Sequence, residues 1–386
     1  MALVFPDLAS NLLSTVSISA ALYPLLNENP SSISLIFNSF VKIFLKLGGL
    51  LFLVLSIYVF FRFPTEKYYI PTLIISLVSI FPNVVTAISS AFLNFFYKTK
   101  AQALSTVIFN TVLIIGLLIT KNLFWLAIFI LSAAILRMFF LFISYTRFSK
   151  IQVTSTVNTA VNNLSFSTKK IILPLAIASF SQVLMLINPF LDRLSLAYGT
   201  AGKIAILSYA EKLSMLPVTI FLTIAPYVMT PEIFKLARNK NDDSLQYASK
   251  PLLILFLAGT ICMLGILLFA NQLVNLILAP TGIPQYSLTE ISSCLISYSL
   301  MLPFVGPLNI MTTIFLANNL SKSLCLLALM SLVLKLSLVA FCTNFYCGPQ
   351  YISLTTSVSV GFFATICFFS LYIHKKNYYG VYNNRK

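Results

Sequence analysis

Eleven mainly apolar stretches, each near or beyond the ~20 residues a helix needs to cross a bilayer, limit what this chain can fold into. They run at about 6–26, 32–62, 70–96, 101–120, 122–147, 170–199, 202–236, 246–270, 287–316, 321–343 and 351–375. Inside hydrocarbon every backbone donor and acceptor must be satisfied within the chain, so runs of this length fold as helices. Hydrophobic residues make up 59% of the sequence and charged residues 9%, where a soluble domain carries about 25% charged residues. The expected fold is an all-α polytopic membrane protein, with about 11 transmembrane segments in two helical lobes around a central cavity. The first stretch is amphipathic, with Asp7, Asn11, Ser14, Ser17 and Ser19. Several others exceed one span and are expected to tilt or kink.

The formal net charge is +16. It does not point to a nucleic acid, because the basic residues lie in loops between apolar segments and not on a basic–aromatic face. Loops after odd-numbered segments carry fifteen Lys and Arg; loops after even-numbered segments carry four. That bias places the odd loops and the C-terminus in the cytoplasm, and Met1 outside. One more helix ahead of Met1 would restore a cytoplasmic start, so the chain is expected to be truncated or to begin upstream.

The Ser/Thr/Asn-rich stretch 151–169 reads as a cytoplasmic inter-lobe loop. It separates an N-terminal lobe at 1–150 from a C-terminal lobe at 170–376, and a cytoplasmic tail follows at 377–386. Ile18–Glu28 and Ala225–Lys235, six segments apart, each place a proline near an inner helix end. This is a faint echo of the repeats from which many transporters are built.

The chemistry concentrates in 181–231, which carries two acid–base doublets inside apolar segments, Asp192-Arg193 and Glu211-Lys212. A charge at the bilayer centre costs several kcal/mol, so such groups face a protein interior or a watery cavity. Ser181, Asn188 and Asp192 share one helical face and form a polar stripe. Adjacent helix positions point about 100° apart, so Glu211 and Lys212 cannot pair with each other. Each takes another partner, either an ion pair with the preceding segment or an anionic head group. Lys335 lies too deep to reach an interface and reads as a cavity or ion-pair lysine. Arg137 reaches the inner surface only in part, and Lys42 and Lys46 either snorkel or face the cavity. Among the charges set into the apolar segments, Arg193, Lys212, Lys42, Lys46, Arg137 and Lys335 against Asp192 and Glu211 favour an anionic cargo such as a phosphate or diphosphate.

His374, followed by two lysines, reads as interfacial. None of the six cysteines forms a CxxC, so no metal site is expected; a disulfide between Cys342 and Cys347, which flank a short loop, stays open. There is no nucleotide-binding motif and no catalytic constellation, so the chain is not expected to be an enzyme or to carry a cofactor.

Asn188-Pro189 with Asp192-Arg193, then Gly199 and Gly202, Leu207–Leu213 (LSYAEKL), Leu216-Pro217 and Pro231 resemble the MurJ/MviN family of lipid II flippases. That family lies within the multidrug/oligosaccharidyl-lipid/polysaccharide exporter superfamily. Phe5-Pro6-Asp7-Leu8, Ser19-Ala20-Ala21 and Tyr23-Pro24 resemble the family's second helix. The resemblance implies two lobes around a cationic cavity that alternates between inward-open and outward-open states. Its cargo would be an undecaprenyl-diphosphate-linked saccharide, most simply the peptidoglycan precursor lipid II, in a bacterial inner membrane. Glu211 and Lys212 match the family's acidic–basic pair, whose basic member is implicated in gripping diphosphate. The chain departs from the family in lacking its first helix and last two helices. It also has Ser10-Asn11-Leu12-Leu13-Ser14 where arginines are usual, and lysine at 212 where arginine would offer a bidentate fork.

The expected substrate-binding residues are Lys212, Glu211, Arg193, Asp192, Arg137 and Lys335, with a coupling cation as a further candidate partner at the carboxylates. Two other readings remain: export of another lipid-linked polysaccharide, and a degenerate membrane scaffold that no longer transports. A drug exporter with cationic cargo would need an acidic cavity, and a membrane glycosyltransferase would need acidic loop residues beyond Asp242-Asp243.

Overall fold

The computed structural model describes residues 18, 22, 26, 33–62, 69–96, 98–120, 123–153, 187–188, 190–196, 202–218, 224–238, 244–318, 320–344 and 348–383. All the regular elements among them are helical. The chain divides into two compact units, Met1–Val183 and Leu184–Lys386.

The first unit contains α1 (Ile33–Arg62), α2 (Tyr69–Val78), α3 (Ile80–Phe95), α4 (Thr99–Ile119) and α5 (Leu123–Val153). Of the expected first segment, Ile18, Leu22 and Leu26 are described; all three are helical and buried, at a four-residue spacing that shares one face. α5 packs on α2, α3 and α4, and α3 also packs on α1. An aromatic cluster fixes these contacts. Phe37 of α1 stacks on Tyr145 of α5 at 4.0 Å and meets Phe92 of α3 edge-on at 5.1 Å. Such pairs contribute about 0.5–1.5 kcal/mol beyond the area they bury. Between α2 and α3 the Ser79 hydroxyl donates to the Ser76 carbonyl at 2.6 Å. Pro82 then falls in the first turn of α3, where a missing N–H leaves no bond unmade.

The second unit opens with helical residues 187–188 and 190–196. It continues with α6 (Lys203–Pro217), α7 (Ile224–Arg238), α8 (Ser244–Leu278), α9 (Gln285–Ser299), α10 (Leu302–Ala317), α11 (Ser321–Asn344) and α12 (Pro349–Asn383). α9 packs against α6, α8 and α12; α10 packs against α7, α8, α11 and α12; and α11 lies along α12. Gly202 enters α6 with φ +95°, a left-handed conformation that costs glycine nothing.

The α9–α10 pair bends by 44°. Pro303 and Pro307 lie in α10, and each lacks the N–H that would continue the ladder. The Ser357 hydroxyl of α12 donates to the carbonyl of Ser297 at 2.6 Å, just before the bend. On the other side α8 approaches so closely that a Cβ at Gly259 would stand 2.3 Å from the Leu302 carbonyl oxygen. Small residues at helix crossings permit this kind of backbone approach in membranes.

Six described helical stretches are long and apolar enough to cross a membrane, or seven with the bent pair counted as one span. The molecule is thus a multi-pass membrane protein, and the expected number of eleven stands beside six or seven among the described residues. Much of the rest falls outside the described residues. Of the expected segment 202–236 the described residues are α6 with Gly202 and Val218, and α7; residues 219–223 lie outside them. The expected segment 170–199 and the loop 151–169 lie mostly outside the described residues, and α12 runs to Asn383, past the expected end at 375.

Candidate functional site

Asp192 and Arg193 are neighbours on one helical turn, so their side chains leave in directions about 100° apart. Asp192 turns into the core of the second unit, where it and Lys335 of α11 are both fully buried and form an ion pair. The Lys335 ammonium has three N–H donors, and each has an oxygen: Asp192 Oδ1, Thr355 Oγ1 at 2.8 Å, and Thr356 Oγ1. The other carboxylate oxygen, Asp192 Oδ2, accepts from the Tyr298 hydroxyl of α9 at 3.0 Å and from the Thr356 hydroxyl. The Thr355 hydroxyl donates its own hydrogen bond to the Ile352 carbonyl at 2.7 Å. One carboxylate thereby joins helical residues 190–196 to α9, α11 and α12. Desolvating two charges costs several kcal/mol each, and this geometry offsets it because every donor on the ammonium is matched.

Arg193 turns the other way, toward α6. Its Nη2 donates to Glu211 Oε2 at 2.7 Å, with side-chain exposures of 17% and 11%. The guanidinium keeps a second, buried donor, Nε, that makes no hydrogen bond. Glu211 lies on the buried face of α6 with Ile206, Leu207, Ala210 and Ser214. Lys212, one position on, is exposed and makes no ion pair among the described residues. Asp192 and Glu211 are therefore each matched to a basic residue, and Lys212 is the cation of the two doublets that makes no ion pair among the described residues. An ammonium in that position binds an oxyanion as a point charge, without the planar fork of a guanidinium.

Arg137 belongs to the first unit. On α5 its Nε lies 3.4 Å from Ser105 Oγ and its Nη2 3.5 Å from Thr106 Oγ1, and the guanidinium sits 5.7 Å from the centre of the Phe109 ring. The oxygen contacts are long for hydrogen bonds. Lys42 and Lys46 are exposed on α1. Asn188 is buried next to the site with its carbonyl oxygen unbonded; Ser181, expected on the same stripe, lies outside the described residues, as does Cys347.

Of the six expected site residues, the structure brings five together in the second unit, as two ion pairs and one exposed lysine. Sequence reasoning missed Tyr298, Thr355 and Thr356. Hydroxyl side chains are frequent in membrane helices as interhelical glue, and nothing in the sequence separates these three from the many others.

The family model of the lipid II flippase MurJ matches residues 2–382. A curated relative, described as probable lipid II flippase MurJ from Rickettsia prowazekii (strain Madrid E), is 25% identical over 258 residues, covering 65% of this chain and 49% of the relative. The chain thus spans about half the length of that relative. Among solved structures, a lipid II flippase MurJ in an inward closed conformation superposes with a TM-score of 0.71 at 21% identity, over 96% of this chain and 79% of the other. A MATE protein in complex with MaL6 gives 0.78 at 16% identity, over 98% and 87%. A MOP-superfamily transporter from Pyrococcus furiosus Vc1 (DSM3638) gives 0.76 at 16%, over 97% and 86%. At these identities the structures speak for the fold, a helical arrangement common to MurJ and MATE proteins. The sequence match over residues 2–382 places the chain in the lipid II flippase MurJ family.

Proposed function

We propose that this chain translocates an undecaprenyl-diphosphate-linked saccharide, with lipid II as the cargo, across a bacterial inner membrane by alternating access. The family match over residues 2–382 carries this reading. Flipping breaks no covalent bond, so the protein needs a grip on the head group and no catalytic constellation. Lys212 supports the reading as the exposed cation of the 188–231 motif. In this proposal it holds the diphosphate, Arg193 contributes the face of its guanidinium turned away from Glu211, and Arg137 is kept as a further substrate-binding cation. Lys335 and Asp192 act from beneath, neutralising each other and fixing the helix that presents Arg193. A coupling cation at Asp192 or Glu211 would have to displace a basic side chain already in contact with it.

The proposal keeps lobes at 1–150 and 170–376, a cytoplasmic loop at 151–169 and a cytoplasmic tail at 377–386. The test is complementation. The resident lipid II flippase of a test bacterium is depleted, and the chain is expressed at a verified level in the membrane. Restored growth with normal lipid II turnover is the expected result. Failure of the folded, membrane-inserted chain to restore growth would overturn lipid II as cargo and favour another lipid-linked polysaccharide.

A further inference from the structure

A groove of about 430 Å³ runs along the second unit between α6, α8 and α9. Its floor is Ile266 and Leu295, both buried, and its rim is Leu216, Phe269 and Ile277, all exposed. The volume falls within the roughly 300–1,000 Å³ of small-ligand sites, yet the lining holds no charged group. Gly265 opens one wall, since a Cβ built there meets nothing within 4 Å. α8 is one of the membrane-spanning helices, so the groove belongs to the apolar part of the protein.

Lys212 stands four residues before Leu216 on α6, and residues at that spacing share a face. The exposed ammonium therefore sits one turn from the rim of an uncharged groove, with no carboxylate partner among the described residues. A lipid that carries phosphate at one end and a long hydrocarbon chain at the other matches both features. A free phosphate would match only the lysine, and an uncharged lipid only the groove.

We infer that the α6–α8–α9 groove seats the polyprenyl chain of a diphosphate lipid whose head group is held by Lys212. This inference rests on the proposed function for the nature of the lipid and adds to it the place where the chain lies. The apolar seat fixes the lipid's axis, so the diphosphate reaches Lys212 from one side, and the ammonium selects anionic lipids over the bulk.

The test uses the full chain in detergent and a polyprenyl diphosphate bearing a diazirine in its second or third isoprene unit. After photolysis, label is expected on the peptides that carry Leu216-Pro217 and Cys262–Ile277. Unlabelled undecaprenyl diphosphate should compete it at least tenfold more effectively than undecaprenol. Gly265→Phe, at a position where a Cβ meets nothing within 4 Å, should fill the wall and reduce labelling at least fivefold, and Lys212→Ala should abolish the preference for diphosphate over alcohol. Gly49→Phe, at a glycine equally open in the first unit, should leave labelling unchanged. Label spread evenly over the lipid-facing helices and insensitive to competitor would mean ordinary bilayer lipid, and would overturn the inference. So would labelling in Gly265→Phe equal to that of the parent. Complementation separates this result from the fate of the function. Rescue by the parent without specific labelling sinks the groove and keeps the flippase; specific labelling without rescue keeps the groove as a lipid seat and sinks flipping.

Discussion

Arg193 Nη2 lies 2.7 Å from Glu211 Oε2, a pair that closes over one face of α6 and leaves Lys212, the next residue, turned outward without a carboxylate among the described residues. The two halves of the Glu211-Lys212 doublet thus have different work, and substitution should separate them. Lys212→Ala should change stability by no more than about 0.5 kcal/mol, as at other exposed positions, while reducing growth rescue at least tenfold. Glu211→Gln removes the charge that faces a half-buried guanidinium and should cost about 1–3 kcal/mol. Thermal unfolding of the purified variants beside complementation checks both, and equal destabilisation by the two would contradict the division.

The buried Asp192–Lys335 pair predicts a non-additive response. Lys335→Met leaves a carboxylate with no counter-charge in the core of the unit and should destabilise it by about 3–5 kcal/mol. Asp192→Asn combined with Lys335→Met removes both charges and should recover most of that loss. A double-mutant cycle read by denaturation in detergent gives the coupling directly. If the double variant is as unstable as the sum of the singles, the pair does not hold α11 to helical residues 190–196.

Two glycines of α8 make opposite predictions. Gly259→Ala drives a methyl into the Leu302 carbonyl, an obstacle of backbone and not of a movable side chain, and should cost about 1–3 kcal/mol. Gly265→Ala meets nothing and should gain up to about 1 kcal/mol from the lower entropy of the unfolded helix. Melting temperatures of the two variants, measured side by side, decide it. A neutral Gly259→Ala would mean that α8 can move away from the bend at no cost.

The sequence made the class of molecule plain, because long apolar runs allow few alternatives in hydrocarbon. It also picked out Asp192, Arg193, Glu211, Lys212 and Lys335, since a charge in an apolar segment needs a reason. It could not assign their partners. Lys335 meets a residue 143 positions earlier, and the choice of Asp192 for Lys335 and Glu211 for Arg193 depends on how the helices rotate against one another. Hydropathy carries no record of that rotation. Tyr298, Thr355 and Thr356 stayed hidden because a hydroxyl's importance comes from what it faces.

The distance between Asp192 and Lys335 along the chain also sets a timing problem for biogenesis. At ~5–20 residues per second, the ribosome needs roughly 7–30 s to make the intervening 143 residues. Through that interval the carboxylate is made and its lysine is not. Until α11 is made, Asp192 has no basic side chain from that helix to offset the cost of its burial. The second half of this protein therefore cannot complete its core helix by helix as it emerges, and its last two described helices, α11 and α12, bring partners of Asp192.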